Sequence, residues 1–396
     1  MLARLGMESA EVDAFATSLE QVRETWQDRL ATPHFFGWPE RLHGAYQSER
    51  EASELGRIFG IANGMHDEID AVVVVGSSRA LAGIRALVHA CCDPLHNELN
   101  RAQRGSKPRV YFAGDSLDND TLSSLLQRLK TPAIDAAPNR FAVIAISDDG
   151  ADSTQAVVLA HMLDALEKIL GNESQRLLGR YFIPFARRGS WLQALAASAG
   201  CKEIFEVEFD VAEPDAALAL ANHLPAAFLG LDCMRWLGGA FEMNQHFLSV
   251  PFSRNSVLQY VAVNRARSID GDGRSHSLNI WSDALESWGH WYHATVPDCS
   301  AVHVHPQGRE VQNAHADESL ILNVAVNTPR TDQLSTPQRF AIDRISPVNS
   351  ACSEKHEEGR SMNLVVPVID TFSMGQLFQM VMIAVEVDRQ WSPDSQ

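Results

Sequence analysis

The stretch Ala71-Val-Val-Val-Val-Gly-Ser-Ser78 decides the fold. A short β-branched run that ends in Gly and Ser, followed by apolar residues at helical spacing, predicts a buried strand, a tight turn and a helix. The same unit returns three times, with strands predicted at 109–112, 141–146 and 181–184 and helices at 122–129, 157–170 and 191–199. Strands that alternate with helices predict an α/β fold, a doubly wound parallel sheet covered on both faces.

The pattern divides the rest of the chain into further regions. Residues 1–67 show helical spacing interrupted between Pro33 and Pro39, which predicts an N-terminal helical arm. Residues 68–215 form the first predicted α/β domain, and residues 216–396 form the second. The second domain opens with a long helical pattern from Ala216 to about Phe247, and its other predicted elements are strands at 278–281, 300–304 and 320–326, a loop at 327–359 and a helix at 372–387.

Composition limits the partners of this protein. The 396 residues are 45% hydrophobic and 21% charged, which predicts two or three globular domains. Their formal net charge of −17 produces a field that repels nucleic acids and anionic membrane surfaces. We therefore expect no nucleic acid partner, and an anionic substrate only where local donors overcome this field.

Other classes of protein find little support in the sequence. Six cysteines without a CxxC pair favour neither a disulfide framework nor a zinc ribbon. No leading apolar run is typical of a signal peptide, and no apolar stretch reaches membrane-spanning length. Glycine motifs of nucleotide-binding sites are also missing. These features predict a reduced, cytoplasmic protein with no membrane association and no cofactor.

Nearly the whole sequence resembles the short bacterial form of phosphoglucose isomerase, also called glucose-6-phosphate isomerase. The matching segments are 72–78, 96–101, 111–114, 117–120, 188–190, 194–196, 224–227, 229–232, 281–285 and 375–380. The resemblance implies two α/β domains of the sugar-isomerase type and a homodimer. It also implies a role in glycolysis or gluconeogenesis, where the family interconverts glucose 6-phosphate and fructose 6-phosphate through an enediol.

The resemblance places a phosphate-binding loop after the strand at 141–146. Ser147 and Gly150 match the family and are candidate substrate-binding residues. The family's lysine is replaced by Asp148, and two of its hydroxyl residues by Asp149 and Asp152. Each carboxylate would oppose a phosphate dianion by about 1 to 4 kcal/mol at contact distance. Either these acids cap the helix that starts near Ser153, or they form a site for a cation or a polyol.

The turn after the first strand is a second candidate ligand contact. Gly76, Ser77 and Ser78 either bind a sugar or sugar phosphate through amides at the start of the following helix, or merely make the tight turn.

Other catalytic positions of the family are not retained. The segment that carries its enediolate-stabilising arginine corresponds to 211–217, which contains no arginine. The segment of its proton-shuttling glutamate is deleted, and Asp298 is the only carboxylate nearby. Its C-terminal lysine segment has no counterpart before Gln396.

One catalytic position survives. The resemblance aligns His305 with the ring-opening histidine, which in the family reaches into the site of a neighbouring subunit. A structural histidine satisfied by hydrogen bonds is the other interpretation of His305.

We therefore expect a member of this isomerase family with degraded or lost activity. One alternative is an active isomerase with a rebuilt site for an altered sugar, in which His305 pairs with Asp298 or Asp149. Another is a metal site that uses the histidines at 290, 293, 303 and 305. The ligand, and whether the chain pairs with an active paralogue, stay open at this level.

Overall fold

A computed structural model describes residues 12–31, 35–131, 140–147, 153–207, 216–268, 276–304, 320–328 and 361–391. Its internal contacts divide the chain into two compact units. The first unit is residues 30–238, and the second combines residues 1–29 with residues 239–396. This division differs from the boundaries predicted after residues 67 and 215, which were drawn from changes of sequence pattern and remain predictions as domain limits.

The first unit contains a five-stranded parallel sheet in the order β2-β1-β3-β4-β5. Its strands are β1 (Ala71–Val75), β2 (Arg109–Ala113), β3 (Phe141–Ser147), β4 (Phe182–Ala186) and β5 (Phe205–Glu206). Its helices are α2 (Trp38–Glu49), α3 (Glu54–Met65), α4 (Ser78–Cys91), α5 (Asn119–Lys130), α6 (Ser153–Leu170), α7 (Ser174–Tyr181), α8 (Trp191–Ser198) and α9 (Leu220–Phe228). The alternation predicted from the sequence is confirmed.

The central strands of this sheet are apolar because helices cover both of their faces. Every residue of β1 and of β3 is buried. Such continuous apolar runs are typical of parallel sheets, in which no strand face meets water. The helices that follow β1, β2 and β4 begin at side-chain caps, where Ser77, Asp118 and Ser190 each accept a backbone N–H three residues ahead.

The long helical pattern from Ala216 to about Phe247 corresponds to two helices in the structure. The helix α9 ends at Phe228, and α10 (Cys233–Ser249) begins after a short turn. Gly230 lies in this turn with a φ of +69°, a left-handed conformation that interrupts a helix and that glycine adopts at little cost. The apolar spacing continues across the turn because both helices pack against a core.

The second unit contains a four-stranded parallel sheet in the order β7-β6-β8-β9. Its strands are β6 (His276–Ile280), β7 (Cys299–Val304), β8 (Leu320–Thr328) and β9 (Ser361–Val368). Its helices are α1 (Ala16–Glu24), α11 (Ser256–Ser268), α12 (Glu286–Thr295) and α13 (Thr371–Gln390), together with part of α10. The predicted loop at 327–359 lies outside the described residues except for Asn327 and Thr328, which extend β8.

The predicted N-terminal helical arm is divided between the two units. Helix α1 packs on the second unit, where the indole of Trp26 donates to the side chain of Gln390. The rings of Trp26 and Phe247 meet edge to face with centroids 5.2 Å apart. Helices α2 and α3 instead pack within the first unit. Because each part of the arm buries apolar surface on a different unit, the arm is divided between them.

No helix within the described ranges is both long and apolar enough to cross a membrane.

Candidate functional site

The carboxyl ends of β1 and β3 form the point at which the strand order of the first sheet reverses. The chain leaves β1 for β2 on one side and reaches β3 on the other. Val75 pairs with Ala145, so Gly76 and Ser147 follow at the same edge of the sheet. Ligands of open α/β sheets bind in the crevice outside such an edge. The described candidates Gly76, Ser77, Ser78 and Ser147 therefore share one neighbourhood.

Ser77 and Ser78 form the start of α4. The hydroxyl of Ser77 accepts the N–H of Ala80 at 3.2 Å and so caps the helix. Ser78 is exposed as the first helical residue. The backbone N–H groups of the first helical turn have no carbonyl of their own helix to bind. The edge thus offers amide and hydroxyl donors to an anion, as the turn motif suggested.

Gly76 and Gly114 bring two turns into backbone contact beside this edge. Gly114 follows β2 with a φ of +101°, which L side chains rarely adopt. A Cβ at Gly114 would lie 2.8 Å from the carbonyl oxygen of Gly76. The N–H of Gly76 donates to the carbonyl of Ala113 at 3.0 Å. No pattern in the sequence indicates this role of Gly114, because the close approach joins turns that lie far apart in the chain.

Arg79 adds positive charge to the same helix terminus. It is exposed, and the first turn of α4 contains no acidic residue. A helix N-terminus already carries a partial positive charge, which a guanidinium reinforces. Arg79 was not among the predicted site residues, although a basic residue directly after the Gly-Ser-Ser turn is a signal visible in the sequence. The β1 side of the edge is therefore suited to an anion.

On the β3 side of this edge, the sequence places negatively charged residues instead. Ser147 ends β3 and is buried, with 4% of its surface exposed. Its three acidic followers, together with Gly150 and His305, lie outside the described residues. The proposed roles of Gly150 and His305 therefore remain predictions from the resemblance.

The connection from α12 to β7 is short. Helix α12 ends at Thr295 and β7 begins at Cys299, so only residues 296–298 join them. The backbone carbonyl of Asp298 accepts the N–H of His276, the first residue of β6, at 2.9 Å. Asp298 is thus fixed beside the amino ends of β6 and β7. This is the edge of the sheet opposite to the one where ligands of such folds usually bind.

Three asparagines cross the second sheet in a row. Asn279 on β6 donates its amide to Asn323 on β8 at 3.3 Å, and Asn323 donates to Asn363 on β9 at 3.1 Å. His303 on β7 lies opposite Asn279 in the register. The position of His303 on a strand was predicted from the sequence. The asparagine row was not, because its members are 40 or more residues apart.

Side-chain chemistry elsewhere gives few catalytic candidates. Burial raises the pKa of the Cys201 and Cys233 thiols to about 12 and that of Cys299 to about 11. All three are therefore neutral thiols near pH 7 and poor nucleophiles. His290 is 68% exposed on α12 and lies 4.0 Å from Glu286. In the described part of the chain, no three His, Cys, Asp or Glu side chains are grouped to hold a metal.

Comparison with known proteins connects this geometry to a family. No family model matches the chain. It is 25% identical over 371 residues to the glucose-6-phosphate isomerase of Caldanaerobacter subterraneus subsp. tengcongensis, covering 87% of the chain and 78% of that protein. The same enzyme of Shouchella clausii gives 25% identity over 370 residues, with the same coverages. The chain is a divergent relative of the glucose-6-phosphate isomerases.

Solved structures support the fold of this isomerase relative. A hypothetical protein from Thermus thermophilus superposes with a TM-score of 0.70 at 17% identity, covering 95% of this chain and 90% of that one. A glucose-6-phosphate isomerase from Chlamydia trachomatis gives a TM-score of 0.60 at 13% identity, covering 85% and 68%. The predicted sugar-isomerase type of α/β fold is thereby confirmed.

Proposed function

We propose that this chain is a glucose-6-phosphate isomerase family protein whose isomerase activity is degraded or lost. One observation carries the proposal: the three-residue connection between α12 and β7 leaves no segment for the proton-shuttling glutamate that the resemblance places there. Enediol chemistry requires a base that removes the carbon-bound proton of the sugar. Without this segment, the base must come from elsewhere in the chain.

Asp298 is poorly placed to replace that glutamate. It lies in the connection itself, at the amino end of β6, where its carbonyl accepts the N–H of His276. A general base must reach within hydrogen-bond distance of the proton it removes. A residue on the amino edge of the sheet is remote from the carboxyl-end crevice of the same sheet, where substrate would bind in this type of fold.

The charge of the phosphate loop also supports the proposal. Three aspartates in 148–152 replace one lysine and two hydroxyl residues of the family. No cation of the family's arginine segment is retained in 211–217 to stabilise an enediolate. Electrostatic stabilisation of the developing charge is usually the largest single contribution to catalysis. The hydroxyl and amide groups of Ser77 and Ser78, with Gly76 and Ser147 at the same edge, suit binding of a sugar or sugar phosphate better than its turnover.

We further propose that the protein is a cytoplasmic homodimer. In the family that the sequence resembles, the histidine aligned with His305 acts in the site of the neighbouring subunit. A retained His305 is most useful to a protein that has kept this assembly.

The first test is a coupled assay of the purified protein with fructose 6-phosphate, alongside thermal unfolding in the presence of both hexose phosphates. We expect no turnover at an ordinary enzyme rate. Stabilisation by a hexose phosphate without turnover would indicate retained binding. Turnover at the rate of the Caldanaerobacter relative would contradict the proposal and make His305→Ala the next variant.

A charge variant separates binding from chemistry. Asp148→Asn, Asp149→Asn and Asp152→Asn combined remove the carboxylates and leave the donors of the β1 edge in place. We expect hexose phosphates to raise the Tm of this variant more than that of the wild type, still without turnover. An equal Tm shift in both proteins would mean that these acids do not face the ligand.

The retained histidine and the acidic character of the loop favour one alternative, an isomerase for an altered, unphosphorylated or cationic sugar. Acids rather than apolar residues fill the former phosphate loop. Exchange of the C2 proton of such a sugar with solvent, lost in His305→Ala, would support this alternative.

A further inference from the structure

The second unit contains a cavity on the side of its sheet away from the carboxyl ends of the strands. Its volume is about 330 Å³, within the range of pockets that hold small molecules. It is lined by His276, where β6 begins, and by residues 296–298, which precede β7. The remaining walls come from α11 and from the last turns of α13. All of its lining residues belong to the second unit, so this cavity is built without the first.

A buried guanidinium forms one polar wall of the cavity. The side chain of Arg265 is 6% exposed and forms an ion pair with Asp388 through its Nε atom. Its Nη2 atom donates to the backbone carbonyl of Asp388 at 2.8 Å. These two bonds use two of the five N–H donors of a guanidinium. Among the described residues, the other donors of Arg265 have no acceptor, which leaves them for a carboxylate or another acceptor in the cavity.

Two positive and two negative side chains line the cavity. Arg265 and Arg389 are opposed by Asp298 and Asp388. Arg389 lies at the rim and is paired with Glu386 at 3.6 Å, with 61% of its side chain exposed. Because the lining has both signs and the whole chain has a formal charge of −17, a net anion is disfavoured. A molecule that carries one positive and one negative group matches the lining without opposing this field.

The remaining lining residues indicate the chemical character of the rest of the ligand. Tyr260 and Tyr292 share a hydrogen bond, and the Nε2 atom of His276 lies 2.7 Å from the hydroxyl of Tyr292. Burial raises the pKa of both phenols, so they stay neutral. Tyr292 itself does not line the cavity. Besides the polar Asn264, the rest of the lining is apolar, namely residues 261, 296, 297, 384 and 385. A ligand with an apolar side chain fits this mixture.

We propose that the cavity binds a small zwitterion with an apolar body, of the free α-amino acid class. Its carboxylate lies against Arg265 and Arg389, its ammonium group faces Asp298, and its side chain packs on the apolar wall. The site is independent of the isomerase chemistry discussed above, because it occupies the amino edge of the second sheet.

Thermal unfolding of the full chain with each of the standard amino acids at millimolar concentration tests the proposal. We expect a subset with apolar side chains to raise the Tm, since a ligand that binds only the folded state stabilises it. For the amino acid with the largest effect, the analogues that lack either the amino or the carboxylate group should bind about tenfold or more weakly by titration calorimetry. The readout does not depend on turnover of any sugar.

Variants of the lining residues test whether the amino acid binds in this cavity. Val385→Trp is expected to fill the cavity and abolish binding, while Asp298→Asn and Arg389→Gln each weaken binding about tenfold. Arg176→Gln is the matched control, since Arg176 forms an exposed pair with Glu173 at the same spacing as the pair of Arg389 with Glu386. It should leave binding unchanged.

Three results would overturn the proposal. One is the absence of any Tm shift with all the amino acids. Another is equal binding by the analogue that lacks the amino group, which would make the ligand a simple carboxylate. The third is unchanged binding by a folded Val385→Trp variant, which would place the ligand elsewhere.

Discussion

Asp70 brings a carboxylate between two arginines at the amino end of β1. It lies 2.6 Å from Arg109 and 3.3 Å from Arg104, and all three residues are buried. One carboxylate thus faces two guanidinium groups, and without it the buried arginines would keep their desolvation cost and lose the attraction. This cluster therefore specifies how the first strand enters the sheet.

We expect Asp70→Asn to lower the free energy of unfolding by about 3 to 5 kcal/mol, because it removes the negative charge that faces two buried arginines. Asp164→Asn is the control. Asp164 forms an exposed pair with Lys168 at 2.7 Å, which should contribute little to stability because water and salt screen it. Urea unfolding of both variants measures the difference. Similar losses for the two would show that the buried cluster is not a special source of stability.

His223 makes the stability of the first unit depend on pH. It is fully buried on α9, and its Nδ1 atom lies 3.1 Å from the carbonyl of Ala219. Burial lowers its pKa from 6.5 to about 4, against the opposite effect of this hydrogen bond. The folded state thus holds the ring neutral, while the unfolded state takes up a proton as the pH falls below 6.5.

Stability from His223 is therefore complete above pH 6.5 and is lost as the pH falls towards 4, by about 3 kcal/mol. Below the folded pKa no further loss from this group is expected. His223→Gln, which cannot titrate, should show a flatter dependence between pH 6.5 and 4 in denaturant titrations. Parallel curves for the two proteins would rule out this contribution, since the other titrating groups are common to both.

At the scale of single elements, the asparagine row joins three strands of the second sheet. Asn323 is its centre, buried and bonded to a neighbour on each side. We expect Asn323→Ala to cost about 2 to 3 kcal/mol, since it leaves Asn279 and Asn363 each without a partner. Asn100→Ala, at an exposed position, should cost much less, as measured by chemical unfolding. Equal costs would mean that the row contributes no more than a surface asparagine.

The strands β1 and β9 show which elements could be predicted from the sequence and which could not. The strand at 71–75 was found with its observed bounds, because a short β-branched run before a Gly-Ser turn is a local signal. The strand β9 was not predicted. It contains Pro367, which is tolerated because β9 lies at the edge of its sheet, and edge position is a property of the assembled fold.

The candidate site likewise contains some residues that could be predicted from the sequence and others that could not. The Gly-Ser-Ser turn and Ser147 were found from strand–turn–helix patterns and from the resemblance, and the parallel register brings them to one edge. The contact of Gly114 with Gly76 could not be predicted, since it joins two loops through tertiary packing. Arg79 could have been found, because its place in the first turn of a helix is readable from the sequence.

At the scale of the whole molecule, the predicted homodimer has a direct test. Sedimentation equilibrium should give twice the 43.7 kDa mass of one chain at micromolar concentration. The assembly is expected to survive moderate salt if apolar surface holds it together, since screening weakens mainly exposed charge pairs. A single species at the mass of one chain would contradict the proposed dimer.

The central claim is that a glucose-6-phosphate isomerase relative has kept its fold and lost its proton shuttle. The measurement that tests it most directly is loss of the C2 proton signal of glucose 6-phosphate in heavy water, followed by NMR with the purified protein. The Caldanaerobacter enzyme serves as a parallel reference. We predict exchange at least about 10³-fold slower than in the reference, because the proposed loss removes both electrostatic and acid–base contributions. Exchange at a comparable rate would show that other residues have rebuilt the active site, and would contradict the account.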